Sequence, residues 1–221
     1  MSKRMMVFVM AVVSAALFAL PAGAAAQSWH IDQTTSFSVT GSGGTLTSTE
    51  GSSLTCTSTT GTGTFSTTTG GNISMTFHGC TGPFGFACTS AGQSSGTITT
   101  TSSFDGIMVS SGKPGILLTP TGSTEPTPGQ KLYKEFSCLG ISIKIFGKGA
   151  IGTLSTSFCS AASTTATLTF TSTAQPGHQE DKTWTGTTYD LQSNITASHP
   201  TFSTDGTTTL TFPAARKATC T

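Results

Sequence analysis

Two short glycine-containing patterns in this chain match known functional motifs, one for hydrolysis and one for dinucleotide binding. Residues 92–96 read G-x-S-x-G, the pattern in which Ser94 would be the nucleophile of a hydrolase elbow. That elbow requires a helix after the serine, whereas residues 97–100 are typical of a strand. Residues 147–152 have the glycine spacing of a dinucleotide-binding turn, but residues 153–157 supply no helix for a phosphate. We therefore predict no catalytic residue and no cofactor.

Acidic and histidine side chains are too few and too scattered to predict an acid–base pair or a metal site. The chain has 4 His and 9 acidic residues. Adjacent Glu180 and Asp181, followed by Lys182, favour a solvated loop. The cysteines show no C-x-x-C spacing, which argues against zinc. The sequence predicts no metal ligands, and a secreted hydrolase is less favoured than a non-enzymatic module.

Trp184 and Tyr189 are the candidate ligand-binding residues, because they lie close together in a Thr-rich segment. An exposed aromatic ring beside hydroxyl groups could stack on a sugar ring. The alternative is that both rings fill a small core, as large amphipathic side chains usually do.

The N-terminus has the pattern of a secretory signal peptide. Lys3 and Arg4 precede an apolar run over residues 5–20, and Ala24, Ala25 and Ala26 supply the small residues of a cleavage site. We predict a signal peptide at 1–26 and a secreted mature chain that begins near Gln27. No second long apolar run follows, so no membrane span is expected after cleavage.

The composition of the 221-residue chain excludes several classes of protein. It contains 47 Thr, 30 Ser and 26 Gly, and only 9% of its residues are charged. The formal net charge is +1 and no basic stripe occurs, so nucleic-acid binding is not expected. The length after cleavage suits a single domain over 27–221.

Strict alternation of apolar and hydroxyl side chains predicts strands with one buried face. Glycine and Asp-Gly signals at 41–44, 70–71, 105–106 and 205–206 predict turns between these strands. A Pro-rich loop is expected near 119–130. The fold class is therefore all-β, an antiparallel β-sandwich or a barrel-like fold. The clearest alternating apolar sets are Phe37 and Val39; Ile73, Met75 and Phe77; Ile141, Ile143 and Ile145; Ala166, Leu168 and Phe170; and Leu210 and Phe212.

All six cysteines lie after the predicted cleavage site, and an exported chain meets an oxidising compartment. We therefore expect three disulfides. Six cysteines allow 15 connectivities. The favoured set is Cys80–Cys88, Cys138–Cys159 and, by elimination, Cys56–Cys220.

The chain resembles small secreted Thr/Gly-rich proteins of unknown function from actinobacteria. The residues that carry the resemblance are the L-T-C-T strand at 54–57, the G-C…C loop at 79–88, the turn at 115–120 and F-x-C at 136–138. The resemblance implies export and an all-β, disulfide-stapled fold. It supplies no catalytic residue.

The sequence thus predicts an exported, non-enzymatic β-module with a structural, cell-envelope or adhesion role. The alternative is a glycan- or surface-binding module that uses Trp184 and Tyr189. The expected partner is a cell-envelope component or a glycan.

Overall fold

A computed structural model describes residues 27–122, 130–194 and 200–220 of the protein. The predicted signal peptide at 1–26 lies outside the described residues, as do residues 123–129 of the predicted Pro-rich loop. Within the described residues, no helix is long and apolar enough to cross a bilayer.

The described chain is almost entirely strand, as predicted. The one short α-helix, α1, covers Ser157–Ser160. The strands are β1 (Trp29–Ile31), β2 (Thr35–Ser48), β3 (Ser53–Cys56), β4 (Ser58–Phe65), β5 (Gly70–His78), β6 (Cys88–Thr89), β7 (Ile98–Ser110), β8 (Lys113–Pro120), β9 (Lys131–Cys138), β10 (Ile141–Gly147), β11 (Ala150–Leu154), β12 (Ser163–Phe170), β13 (Leu191–Ser193), β14 (Thr201–Arg216) and β15 (Ala218–Cys220).

Eight antiparallel strands close into a barrel in the order β2-β4-β5-β7-β8-β11-β12-β14, and β14 pairs back onto β2. We call this unit the aromatic barrel. Six rings fill it, with centroid separations such as 4.8 Å between Phe65 and Phe104. The closure leaves no free edge in this part of the sheet. The six rings are those of Trp29, Phe37, Phe65, Phe104, Phe158 and Phe212.

The two longest strands, β2 and β14, extend beyond the barrel and pair with strands of a second layer. Residues 44–47 of β2 pair with β3, and residues 201–202 of β14 pair with β13, which continues to β10, β9 and β6. We call the set β3, β6, β9, β10 and β13, with these halves of β2 and β14, the stapled sheet. Isolated bridges at Thr55–Thr81 and Thr81–Ala87 connect β3 toward β6, so this sheet also curls back on itself.

The opposite end of the aromatic barrel is capped by β1 and β15. Trp29 lies across from Cys220, and its indole N–H donates to the Gly115 carbonyl at 2.7 Å. Phe158 of α1 stacks on Phe212 with centroids 5.7 Å apart. The two longest strands therefore run from a capped, ring-filled end to the stapled sheet.

Period-two alternation correctly places the inward side chains of the barrel. Phe37, Val39, Ile73, Leu168 and Leu210 are buried while their hydroxyl neighbours face outward. Thr suits the outward positions because its β-branched side chain fits the pleat and stays polar. The pattern is wrong for Ile141, which is 64% exposed at the start of β10.

Three of the four predicted turns lie inside continuous strands. Residues 41–44 belong to β2, 105–106 to β7 and 205–206 to β14. Gly44 and Gly206 face each other, and a Cβ on Gly44 would lie 2.5 Å from the Asp205 carbonyl oxygen. These glycines permit close backbone approach where β2 and β14 change partners, which is a second use of glycine besides the turn.

All six cysteines form disulfides as predicted, but each predicted pairing is wrong. The bridges are Cys56–Cys80, Cys88–Cys138 and Cys159–Cys220. Cys88 and Cys138 are facing residues of β6 and β9. Cys159 of α1 joins Cys220 of β15. Spatial adjacency set by strand pairing decided the connectivity, and distance along the chain did not predict it.

Candidate functional site

A cavity of about 130 Å³ lies where the aromatic barrel meets the stapled sheet, and we call it the junction cavity. One side of its wall comes from barrel residues, among them Met75, Leu118 and Ala150. The other side comes from residues of the stapled sheet, among them Phe136 and Ile145. The lining is therefore mainly methyl groups and ring edges, drawn from two separate core clusters.

Glycine backbone forms a further stretch of the cavity wall. Gly43, Gly44 and Gly206 all belong to the lining. They lie at the crossing of β2 and β14, where Gly43 has φ +83° and a Cβ on Gly206 would meet the Gly43 carbonyl oxygen at 2.9 Å. Because these positions carry no side chain, nothing from this wall projects into the cavity.

Two threonine hydroxyls give the cavity its uncommitted polar groups. Thr100 and Thr208 are buried in the lining, and neither Oγ1 atom has a hydrogen-bond partner among the described residues. Buried hydroxyls are normally paired, and an unpaired one costs free energy. The Asp205 carboxylate, also in the lining, is already occupied. It accepts from the Ser172 backbone N–H at 2.7 Å and from the Ser172 hydroxyl at 2.6 Å.

Tyr133 of β9 stands between the cavity and a shallow depression on the outer surface, since it lines both. Its ring packs against both core clusters. Burial raises the pKa of the Tyr133 hydroxyl to about 12, so the phenol stays protonated at neutral pH. Lys134 also lines both spaces, and its Nζ donates to Thr99 Oγ1 at 3.3 Å.

The structure gives the two aromatic residues predicted to bind a ligand different surroundings. Trp184 is 38% exposed on a turn, where its backbone N–H donates to the Met108 carbonyl at 3.0 Å. Tyr189 is half-buried beside Gly149. Neither ring is one of the six contacting rings of the aromatic barrel and its cap. Their predicted role in binding stays a prediction.

The segment that carries Trp184 also contains buried polar side chains. Asp181 is buried, and one of its oxygens accepts from Lys113 Nζ at 3.2 Å. The interpretation of residues 180–181 as a solvated loop is therefore wrong for Asp181 and right for exposed Glu180. Burial raises the Asp181 pKa, and Lys113 opposes that rise. His178 Nδ1 lies 3.0 Å from Asp190 Oδ2.

The two glycine patterns lack the helices that their chemistry would need. Ser94 lies in a turn before β7, with its Oγ 3.0 Å from Thr97 Oγ1. Residues 148–149 connect β10 of the stapled sheet to β11 of the aromatic barrel. Within the described residues, no three His, Cys, Asp or Glu side chains are placed to hold a metal ion.

The cavity residues were not singled out from the sequence. Alternation predicts which side chains point inward, but it does not predict where two layers of inward side chains leave a space between them. The sequence feature that could have indicated the cavity was the glycines at 41–44 and 206, because glycine within a strand marks close backbone approach as well as turns. Comparison of the chain with protein-family models, with curated proteins and with solved structures gives no match.

Proposed function

We propose that the protein is an exported, non-enzymatic module of the cell envelope that binds one small apolar molecule in the junction cavity. The observation that carries this proposal is the cavity itself, an apolar space of about 130 Å³ between two cores. Well-formed apolar pockets with a few polar groups are the usual form of small-molecule sites.

The size and lining of the cavity restrict the ligand. An apolar protein cavity of roughly 150 Å³ accommodates benzene. The junction cavity therefore suits a single ring or a short branched alkyl group. The hydroxyls of Thr100 and Thr208 favour a ligand that also carries one hydroxyl or carbonyl group, because such a group would satisfy them.

Export is supported by the cysteines, and the contacts of the first described residues are compatible with cleavage after Ala26. The Gln27 carbonyl accepts from the Met108 N–H at 2.9 Å, and Trp29 is fully buried. Cleavage after Ala26 would leave all of these contacts in place. Three disulfides suit an oxidising compartment.

The test is binding of benzene and phenol, followed by thermal shift and by NMR of the lining methyl groups. We expect both ligands to raise the melting temperature, as any ligand of the folded state does, with phenol binding more tightly. Ala150→Leu, which places three more carbons in the cavity, is expected to weaken binding at least tenfold. Ala166→Leu, in the buried barrel core outside the lining, is the matched control.

Two results would refute the proposal. One is the absence of any shift at saturating benzene and phenol. The other is equal binding by wild type and Ala150→Leu.

A second candidate is glycan binding, favoured by the exposure of Trp184 among threonines. Thr183, Thr185 and Thr187 belong to the same turn as Trp184, and the Thr183 and Thr185 hydroxyls lie 3.0 Å apart. In a pull-down on insoluble envelope polysaccharide, Trp184→Ala is expected to lose binding while Ala150→Leu keeps it. Unchanged binding by Trp184→Ala would remove this candidate.

A further inference from the structure

Four large apolar side chains are exposed at one place on the stapled sheet. Phe84 is 95% exposed, Leu139 and Ile141 are each 64% exposed, and Phe86 is 41% exposed. The only other large apolar residue exposed in the described chain is Trp184. We call these four residues the apolar tip.

Strand pairing brings the four residues together. Cys88 of β6 faces Cys138 of β9, which in turn faces Ile141 of β10. Leu139 follows Cys138 directly. If the β6–β9 register is extended by two residues before Cys88, Phe86 lies beside the turn at 139–140. A Cβ on Gly82 would lie 2.9 Å from the Cys88 sulfur, so the loop that carries Phe84 starts at this disulfide.

The backbone holds two of these side chains outward in an unfavourable conformation. Phe84 has φ +64° and Leu139 has φ +53°, and they are the only non-glycine residues with positive φ in the described chain. Bulky residues rarely adopt this region, and strain of this kind concentrates at functional sites. A glycine, which adopts positive φ at no steric cost, follows each of them, at 85 and at 140. The sequence nevertheless places a bulky apolar residue at the first of the two positive-φ positions in each turn.

The charges around the apolar tip favour an anionic surface. In the half of the β9–β10 pair nearer the apolar tip, Lys134 and Lys144 outnumber Glu135, which faces Lys144, so the net charge there is +1. Lys131 lies at the other end of β9, opposite Gly147. Lys144 follows Ile141 by three residues, about 10 Å along the strand. The Glu135 carboxylate accepts from the Ser142 hydroxyl at 2.6 Å. The stretch between Glu50 and Asp105, which includes the loop of Phe84, holds no Asp, Glu, Lys or Arg, so this loop neither attracts nor repels an anionic surface.

The area of the apolar tip is too small for a stable interface between two copies. A complete aromatic side chain buries about 200 Å², so the exposed parts of these four residues offer about 500 Å². A stable protein interface needs roughly 800 Å² from each partner. Two convex loops with a few apolar side chains and nearby lysines fit the boundary between lipid headgroups and acyl chains instead.

We propose that the apolar tip docks the protein onto an anionic lipid surface, with Phe84 and Leu139 inserted among the headgroups. Lys144 lies behind them and attracts the surface charge. The binding is peripheral and leaves the junction cavity intact, so this proposal does not depend on ligand binding there.

Co-sedimentation with lipid vesicles tests the proposal. We expect binding to vesicles of phosphatidylcholine with 30% phosphatidylglycerol, and weak binding to phosphatidylcholine alone, with added salt weakening the first. The variant Phe84→Asn/Leu139→Asn should bind at least tenfold less. Asparagine adopts positive φ readily, so this variant should keep or exceed the wild-type melting temperature. Lys144→Gln should weaken binding roughly fivefold, and Trp184→Ala is the control that should bind as wild type does.

An independent readout places a reporter at the tip. In Phe84→Trp, brominated acyl chains should quench the new indole fluorescence when vesicles are added, beyond any quenching of Trp29 and Trp184 in the wild-type protein. Three results would overturn the proposal: no sedimentation with anionic vesicles, equal sedimentation of the double asparagine variant, or concentration-dependent dimerisation that this variant abolishes. The last result would assign the tip to a second copy of the chain.

Discussion

The aromatic barrel and the stapled sheet share two strands but are stabilised differently. The barrel cluster buries seven rings, the six that contact one another and Phe170, and its single disulfide, Cys159–Cys220, lies in the cap. The stapled sheet has a smaller core in which four of the nine buried residues are Cys56, Cys80, Cys88 and Cys138. The junction cavity and the apolar tip both belong to the stapled sheet or border it.

The difference sets a densely packed frame beside the region that holds the proposed binding site. Fully packed ring clusters leave no space for a ligand, because protein interiors approach crystal density. A core that relies on covalent bridges can leave part of its volume empty, because the bridges restrict the unfolded chain instead of filling space. Three predictions follow from this contrast, in order of expected effect.

Removal of Cys88–Cys138 should loosen the stapled sheet while the barrel stays closed. In Cys88→Ala/Cys138→Ala we expect a loss of about 2–4 kcal/mol in the free energy of unfolding. Hydrogen exchange should show the loss of protection first in β9 and β10, with β4 and β5 protected. The matched variant Cys159→Ala/Cys220→Ala should instead expose β1 and β15. Uniform loss of protection in both variants would mean that the two regions unfold as one unit.

Enlarging an alanine that borders the junction cavity and one in the packed barrel core should have opposite consequences. Ala166 lies in the packed barrel core, so Ala166→Leu should cost about 1–3 kcal/mol through overpacking. Ala150 borders the cavity, so Ala150→Leu should cost less than about 0.5 kcal/mol or increase stability, since burial of added CH₂ groups is favourable. Urea unfolding measures both. An equal cost for the two variants would show that the cavity wall is as tightly packed as the barrel core.

Tyr133 should make the stapled sheet sensitive to alkaline pH. Its pKa is about 12 in the folded protein and 10.0 is the ordinary value, so above pH 10 the unfolded chain loses the proton first. The stability that Tyr133 contributes is complete below pH 10 and falls as pH rises toward 12. Between pH 9 and pH 11 wild type should lose about 1 kcal/mol more than Tyr133→Phe. Identical pH profiles would show that the Tyr133 hydroxyl ionises freely in the folded state.

Several parts of the structure were predictable because they depend on local chemistry. Alternation at Phe37, Val39 and Leu168 assigned the buried face correctly, since side chains on a strand point alternately to its two sides. The prediction failed at Ile141, because a position at the end of a hairpin has no opposing layer to cover it. It failed at Asp181, because Lys113, distant in sequence, gives the carboxylate a buried partner.

The sequence by itself determined that this chain forms strands, which face of each strand is apolar, and that its cysteines are oxidised as an even set. These follow from the two-residue period of a strand and from residue chemistry. The tertiary structure alone decided which cysteines meet, that glycines 44 and 206 mark a crossing and not a turn, and where the cavity and the apolar tip lie. Those features depend on contacts between residues far apart in the chain, which strand register and barrel closure fix and no local pattern encodes.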